Sequence, residues 1–118
     1  MVCVVLVAED EIVVRNVVRH ILESDGHHVL AAADGAEALE LSRKYQGEID
    51  LLITDVIMPK LDGMGLISEI LKDRPNLRIV VMSARPDQMT TDFPFLRKPF
   101  AVAAFRNMVR NILEHRLQ

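Results

Sequence analysis

Five residues along this 118-residue chain carry side chains that together could hold a cation and an anion beside it: Glu9, Asp10, Asp55, Ser83 and Lys98. All stand at or just beyond the ends of apolar runs. Carboxylates brought together repel unless they share a cation, and an oxygen-only donor set suits Mg²⁺ or Mn²⁺. A lysine ammonium and a hydroxyl facing such an ion would cradle something anionic, such as a phosphoryl group. The stretch "LLITDVIMPKLDG" at 51–63 poses the problem most sharply, because strand-forming residues lead straight into Asp55. Desolvating an unpaired charge there costs several kcal/mol or shifts its pKa. Asp55 is therefore expected either to reach solvent at a strand's end or to meet a cation.

The elements that must position these groups are legible as alternating patterns. Apolar runs of strand length occupy Val2–Val7, His28–Ala31, Leu51–Thr54 and Leu77–Met82, and a shorter run, Phe93–Leu96, carries Pro94 and suits an edge. Helical spacing lies between them. Val14, Val17, Val18 and Ile21 form one stripe with Gly26 as its stop, and Asp34 with Glu37 starts a second helix in the manner of a capping box. Leu66, Ile67, Ile70 and Leu71 form a third stripe, and Phe105, Met108, Val109 and Ile112 a fourth. Alternating strands and helices, with strands apolar on both faces, predict a parallel sheet covered on both sides. Ligands of such sheets bind beyond the carboxyl ends of the strands. That edge would receive Glu9, Asp10 and Glu11 from the first strand, Asp55 from the third, Ser83 from the fourth and Lys98 from the fifth. Asp55 is expected at the rim, with no need for burial.

Composition narrows the function. The length suits one domain that buries about two-thirds of its surface. Half the residues are hydrophobic and Trp is absent, so the core is aliphatic. A formal charge of −3 argues against direct nucleic-acid binding, which wants a basic stripe. The single cysteine, Cys3, excludes an intrachain disulfide, fits a reducing compartment and reads as core. The run "VCVVLVA" is too short to span a membrane and lacks a basic leader, so a cytoplasmic protein without membrane attachment is expected. The histidines at 20, 27, 28 and 115 share no metal-ligand spacing with cysteine and are expected at the surface.

Taken together, the acidic pair Glu9-Asp10, "DVIMPKLDG", the serine after the fourth strand and "KPF" after the fifth resemble the receiver domains of bacterial two-component response regulators, over Val2 to about Leu117. The resemblance implies a flavodoxin-like, doubly wound, five-stranded parallel sheet of order 2-1-3-4-5. It implies a single receiver domain over 1–118 with no output domain, either standing alone or cut from a hybrid kinase or longer regulator. Asp55 would be the phosphoacceptor, attacking a phosphohistidine of a histidine kinase or histidine phosphotransfer protein. Asp10, Asp55 and the Ile57 backbone carbonyl would ligate Mg²⁺ (or Mn²⁺), with Glu9 reaching it through water. Lys98 and Ser83 would contact phosphoryl oxygens, Phe95 would switch rotamer with Ser83, and Lys98-Pro99 would be cis. A downstream protein would read the change, and the domain would promote only its own phosphorylation and dephosphorylation.

The departures from the family pattern are specific. Glu9 stands where Asp is commoner, Ile57 is apolar where many relatives are polar, and Arg85 follows two residues after Ser83. "ARPDQMTTD" at 84–92 has room for about two helical turns less the connecting loops. The fourth helix of the family is thus expected to be short or missing, with 84–92 a mobile loop and the first or the C-terminal helix the partner surface. Simpler roles stand beside these: Asp10 and Glu11 could cap the first helix, Ser83 could be a loop hydroxyl, and Phe95 plain core. Among rival functions, an aspartyl phosphatase or mutase wants a second Asp where Ile57 stands, and a nucleotide hydrolase wants a G-x-x-x-x-G-K-[ST] loop that is absent. A binding module that kept the fold but works without phosphorylation is the remaining alternative.

Overall fold

The computed structural model describes residues 2–85 and 92–115. Its five strands are β1 (Val4–Ala8), β2 (His28–Ala32), β3 (Leu51–Asp55), β4 (Arg78–Ser83) and β5 (Phe95–Arg97). They form one sheet in the order β2-β1-β3-β4-β5, every neighbouring pair parallel. Among the described residues there are four helices: α1 (Ile12–Ser24), α2 (Gly35–Lys44), α3 (Gly63–Asp73) and α4 (Val102–His115). Residues 86–91, on which the expected short or missing helix and mobile loop mostly fall, lie outside the described residues. Ala84, Arg85 and Asp92–Pro94 on either side are not helical.

Two apolar layers sandwich the sheet because alternate strand residues face opposite sides. Val5, Val7, Ile53, Val80 and Met82 pack with Val18, Ile21 and Leu22 of α1 and Phe105, Val109 and Leu113 of α4. On the other face Leu6, Leu52, Ile79 and Val81 pack with Ala38 of α2 and Leu66, Ile67 and Ile70 of α3. Each fully buried aliphatic contributes about 1.5–3 kcal/mol, so the central strands anchor whatever their ends carry. One stripe residue departs from expectation. Val17 is 43% exposed, because the buried face of α1 runs through Val18, Ile21 and Leu22 instead.

Local signals set the helix ends. The Asp34 side chain accepts from the Glu37 amide at 2.8 Å to open α2, and Asp62 accepts from Gly65 at 2.8 Å to open α3. Gly26, at φ +90°, follows α1. Among the described residues no helix is long and apolar enough to cross a membrane.

Candidate functional site

The parallel register places the carboxyl ends of β1, β3, β4 and β5 at one edge, and the candidate residues meet there. Asp55 ends β3 opposite Met82, and Ser83 ends β4 opposite Arg97, one residue before Lys98. The Lys98 ammonium lies 2.8 Å from Asp55 Oδ1 and 2.8 Å from Glu9 Oε1. Glu11 is more distant from it, at 3.8 Å. One carboxylate oxygen from each of Glu9, Asp10 and Asp55 lies within 4.8 Å of the others. A cleft of about 200 Å³ opens over this cluster, lined also by Ile57, Ser83, Ala84 and Arg85.

Two of the acids are more enclosed than their sequence positions suggest. Asp55 was expected at the rim, yet it is 4% exposed, and Glu9 is fully buried. The cation answers the desolvation problem for both. Glu9 has every polar atom engaged: its amide donates to Ala32 O, its carbonyl accepts from Arg15, Oε1 from Lys98 and Oε2 from the Glu11 amide. Asp10 is exposed and its side chain has no hydrogen bond or ion pair among the described residues. Neither Asp10 nor Glu11 caps α1: Glu11 occupies the cap position without a side-chain cap hydrogen bond.

Burial and the adjacent Glu9 carboxylate push Asp55 up to about 8, despite Lys98. Burial would lift Glu9 too, but hydrogen bonding with Asp55, Lys98 and the Glu11 amide holds it below the usual carboxylate value. Burial opposes charge on Lys98, yet its hydrogen bonds to Asp55 and Glu9 hold its pKa above the ordinary value. Burial and the Glu9 carboxylate thus favour the protonated form of Asp55, and an added cation would oppose that preference. Glu9, Asp55 and, at longer range, Glu11 face one ammonium, all donors are oxygen, and Asp10 has no partner among the described residues. Such a set fits a hard divalent ion.

The remaining candidates occupy the same edge with different partners. The Ser83 hydroxyl accepts from the Arg85 amide at 2.9 Å, while the Ser83 carbonyl accepts from the Lys98 amide at 2.9 Å. Phe95 is half-buried at the start of β5, in register with Val81. Ile57 is 66% exposed beside the acids, and the Lys98-Pro99 bond is cis. Of the histidines, His20, His28 and His115 are exposed. His27 departs from expectation: it is half-buried and its Nδ1 accepts from the Cys3 amide at 3.3 Å.

Two site-shaping contacts are not readable in the sequence, where Gly63 reads only as part of an Asp62-Gly63 turn. Gly63 packs so closely that a Cβ there would collide with the Asp55 carbonyl oxygen. Arg15 donates to the Glu9 carbonyl at 2.9 Å. The only hint in the sequence is an arginine placed one turn after the acids, inside a helix otherwise opening with valines.

A doubly wound sheet with acids and a lysine at its carboxyl edge defines a class of small α/β domains. The chain belongs to the response regulator receiver domain family, which matches residues 5–110 and whose members are modules of two-component systems. It is 37% identical over 117 residues to the sensor kinase CckA of Brucella abortus, covering 93% of this chain and 12% of that protein. It is 36% identical to the DNA-binding transcriptional regulator NtrC of Azospirillum brasilense, covering 92% of this chain and 24% of that protein. The chain thus spans a minor part of these longer relatives. The crystal structure of the receiver domain from the hybrid histidine kinase CckA superposes with a TM-score of 0.84 at 36% identity, covering 93% of this chain and 98% of that one. A response regulator receiver domain from Clostridium thermocellum gives 0.84 at 29% identity, covering 97% and 96%.

Proposed function

We propose that residues 1–118 act as one cytoplasmic receiver unit that accepts a phosphoryl group on Asp55 from a phosphohistidine of a sensor kinase or histidine phosphotransfer protein. The observation carrying this reading is the Lys98 ammonium 2.8 Å from Asp55 Oδ1 inside a three-carboxylate cluster. An Asp55 oxygen attacks phosphorus, the P–N bond to the histidine breaks, and the electron pair leaves with the imidazole. The transition state is loose, so positioning and charge neutralisation supply most of the rate. Lys98 neutralises one phosphoryl oxygen, and the Ser83 hydroxyl turns from the Arg85 amide to donate to another. Asp10, Asp55 and the Ile57 carbonyl are suited to hold Mg²⁺ or Mn²⁺, with Glu9 behind them, and the ion would supply positive charge for the transferring group.

The product is an acyl phosphate, which hydrolyses readily and suits a reversible signal. The domain promotes its own phosphorylation and dephosphorylation without turning over a separate substrate. Phe95 would follow Ser83 toward the phosphoryl group and alter the β5 surface that a downstream protein reads. Exposed Ile12, Val13 and Val17 on α1, with Ile57 beside the pocket, offer an apolar surface on which the histidine-bearing partner would sit. Incubation with Mg²⁺ and acetyl phosphate, read by intact mass, tests this reading. A gain of one phosphoryl group in the native protein and none in Asp55→Asn is expected. Full labelling of Asp55→Asn would reassign the site, and no labelling of either would favour a binding module that works without phosphorylation.

A further inference from the structure

Asp10 is central to the metal-binding reading above, yet nothing holds its side chain. It is exposed, and it has no hydrogen bond or ion pair among the described residues. Its placement must come from the backbone that carries it. That backbone lacks the usual brace, because Glu11 supplies no side-chain cap to α1. Two contacts do fix it: Glu9 Oε2 accepts from the Glu11 amide at 3.2 Å, and the carbonyl oxygen of the Glu9–Asp10 peptide accepts from Arg15 Nη1 at 2.9 Å. Arg15 is half-buried, and it forms no ion pair among the described residues. A guanidinium one helical turn from an acidic cluster that bonds a carbonyl instead of a carboxylate is serving geometry more than charge.

We propose that Arg15 is a positioning residue for the metal site: by tying down the Glu9–Asp10 peptide it sets where Asp10 presents its carboxylate beside Asp55. The inference rests on Asp10 and Asp55 holding a divalent ion, and it adds a residue outside the cluster on which that holding depends. Outer-shell partners of metal ligands typically govern about 10–100-fold in affinity. The opposing effect has the opposite sign. Removing a cation near a metal site should by Coulomb's law tighten binding of a second cation. The direction of the change therefore separates positioning from charge.

The test is Mg²⁺ titration by calorimetry on the native protein, Arg15→Ala and Arg15→Lys, together with unfolding midpoints in chelator. Arg15→Ala is expected to weaken Mg²⁺ binding by about tenfold or more, and Arg15→Lys, whose ammonium can still donate to the carbonyl, to recover at least part of that loss. Should Arg15→Ala not fold, Arg15→Gln, which keeps a polar helix surface but a shorter reach, is read in its place with the same expectation. Unchanged or tighter Mg²⁺ binding would overturn the inference, as would a lower unfolding midpoint with affinity intact, or equal losses in the alanine and lysine variants. Native protein that binds no Mg²⁺ would instead overturn the reading of the site itself, which keeps the two failures distinguishable.

Discussion

Two turns flank Asp55, and they are held in different ways. The β3–α3 turn, residues 56–62, is a backbone structure: the Val56 amide donates to Met82 O at 3.1 Å, Gly63 to Val56 O at 2.7 Å, and Leu61 to Pro59 O at 2.8 Å. Gly63 and Gly35 let it press against Asp55 and α2 where a Cβ would collide with main-chain oxygens. The β1–α1 turn leans on side chains instead, with Glu9 reaching the Glu11 amide and Lys98, and Arg15 reaching back to Glu9 O. A turn closed by amides and sterics keeps its shape whatever the local charge. A turn closed by ionisable groups can respond to a cation, a proton or a phosphoryl group. Asp55, the proposed phosphoacceptor, thus borders the fixed turn, while Glu9 and Asp10 lie on the adjustable one.

The largest expected effect breaks the fixed turn. Gly63→Ala drives a methyl into Asp55 O and its peptide, which no side-chain rotation relieves. A loss of about 3 kcal/mol or more is expected in urea unfolding, the scale of severe overpacking and backbone strain. A loss below about 1 kcal/mol would mean the turn yields more easily than its hydrogen bonds imply.

Next comes the adjustable side, through its charge. Asp55 is raised from 3.8 to about 8, so between those pH values the folded, metal-free protein binds more protons than the unfolded chain. Stability in chelator should therefore fall as pH rises from about 4 to 8. Asp55→Asn should flatten that slope and stabilise the metal-free protein near neutral pH by about 2 kcal/mol, less than the shift alone gives because Glu9 and Lys98 shift in compensation. Denaturation curves across the window check this, and a slope unchanged in Asp55→Asn would contradict it.

How much of this was legible in the sequence follows the same division. The strands are readable because runs such as Leu51–Thr54 are apolar on both faces, and Asp34 sits where a cap is needed. The meeting of Asp55 with Lys98 follows from parallel strands ending at one edge. The full burial of Glu9 was not legible, since it depends on Lys98 and the Glu11 amide closing over it in three dimensions. Val17 was misplaced because four valines in one helix leave its inward face ambiguous by one position. Arg15 and His27 act through backbone partners, Glu9 O and the Cys3 amide, and sequence spacing does not specify such contacts.

A smaller effect separates Lys98 from the acids. Lys98→Ala should leave Mg²⁺ affinity unchanged or raise it by up to about tenfold, since a cation beside the ion is removed, while phosphorylation-dependent partner binding is impaired. Substantial loss of metal affinity in a folded variant would place Lys98 in the metal's support instead.

The smallest lies away from both turns. Burial lowers His27 below its ordinary 6.5, and its Nδ1 must stay unprotonated to accept from the Cys3 amide. The unfolded chain binds the proton more readily, so this stabilisation is present above about pH 6.5 and is lost as pH falls through the depressed value. His27→Gln should show a shallower stability loss between pH 7 and 5 than the native protein. An identical loss would remove His27 from the acid response.

The central claim is that the Asp55 carboxylate, at the end of β3 beside the fixed turn, is the nucleophile. Borohydride reduces an aspartyl phosphate to homoserine, and peptide mass mapping then locates it. After treatment with Mg²⁺ and acetyl phosphate, homoserine is predicted at position 55 alone, and at no position when chelator replaces Mg²⁺. Homoserine at Asp10 or another acid, or at position 55 regardless of the chelator, would contradict the account.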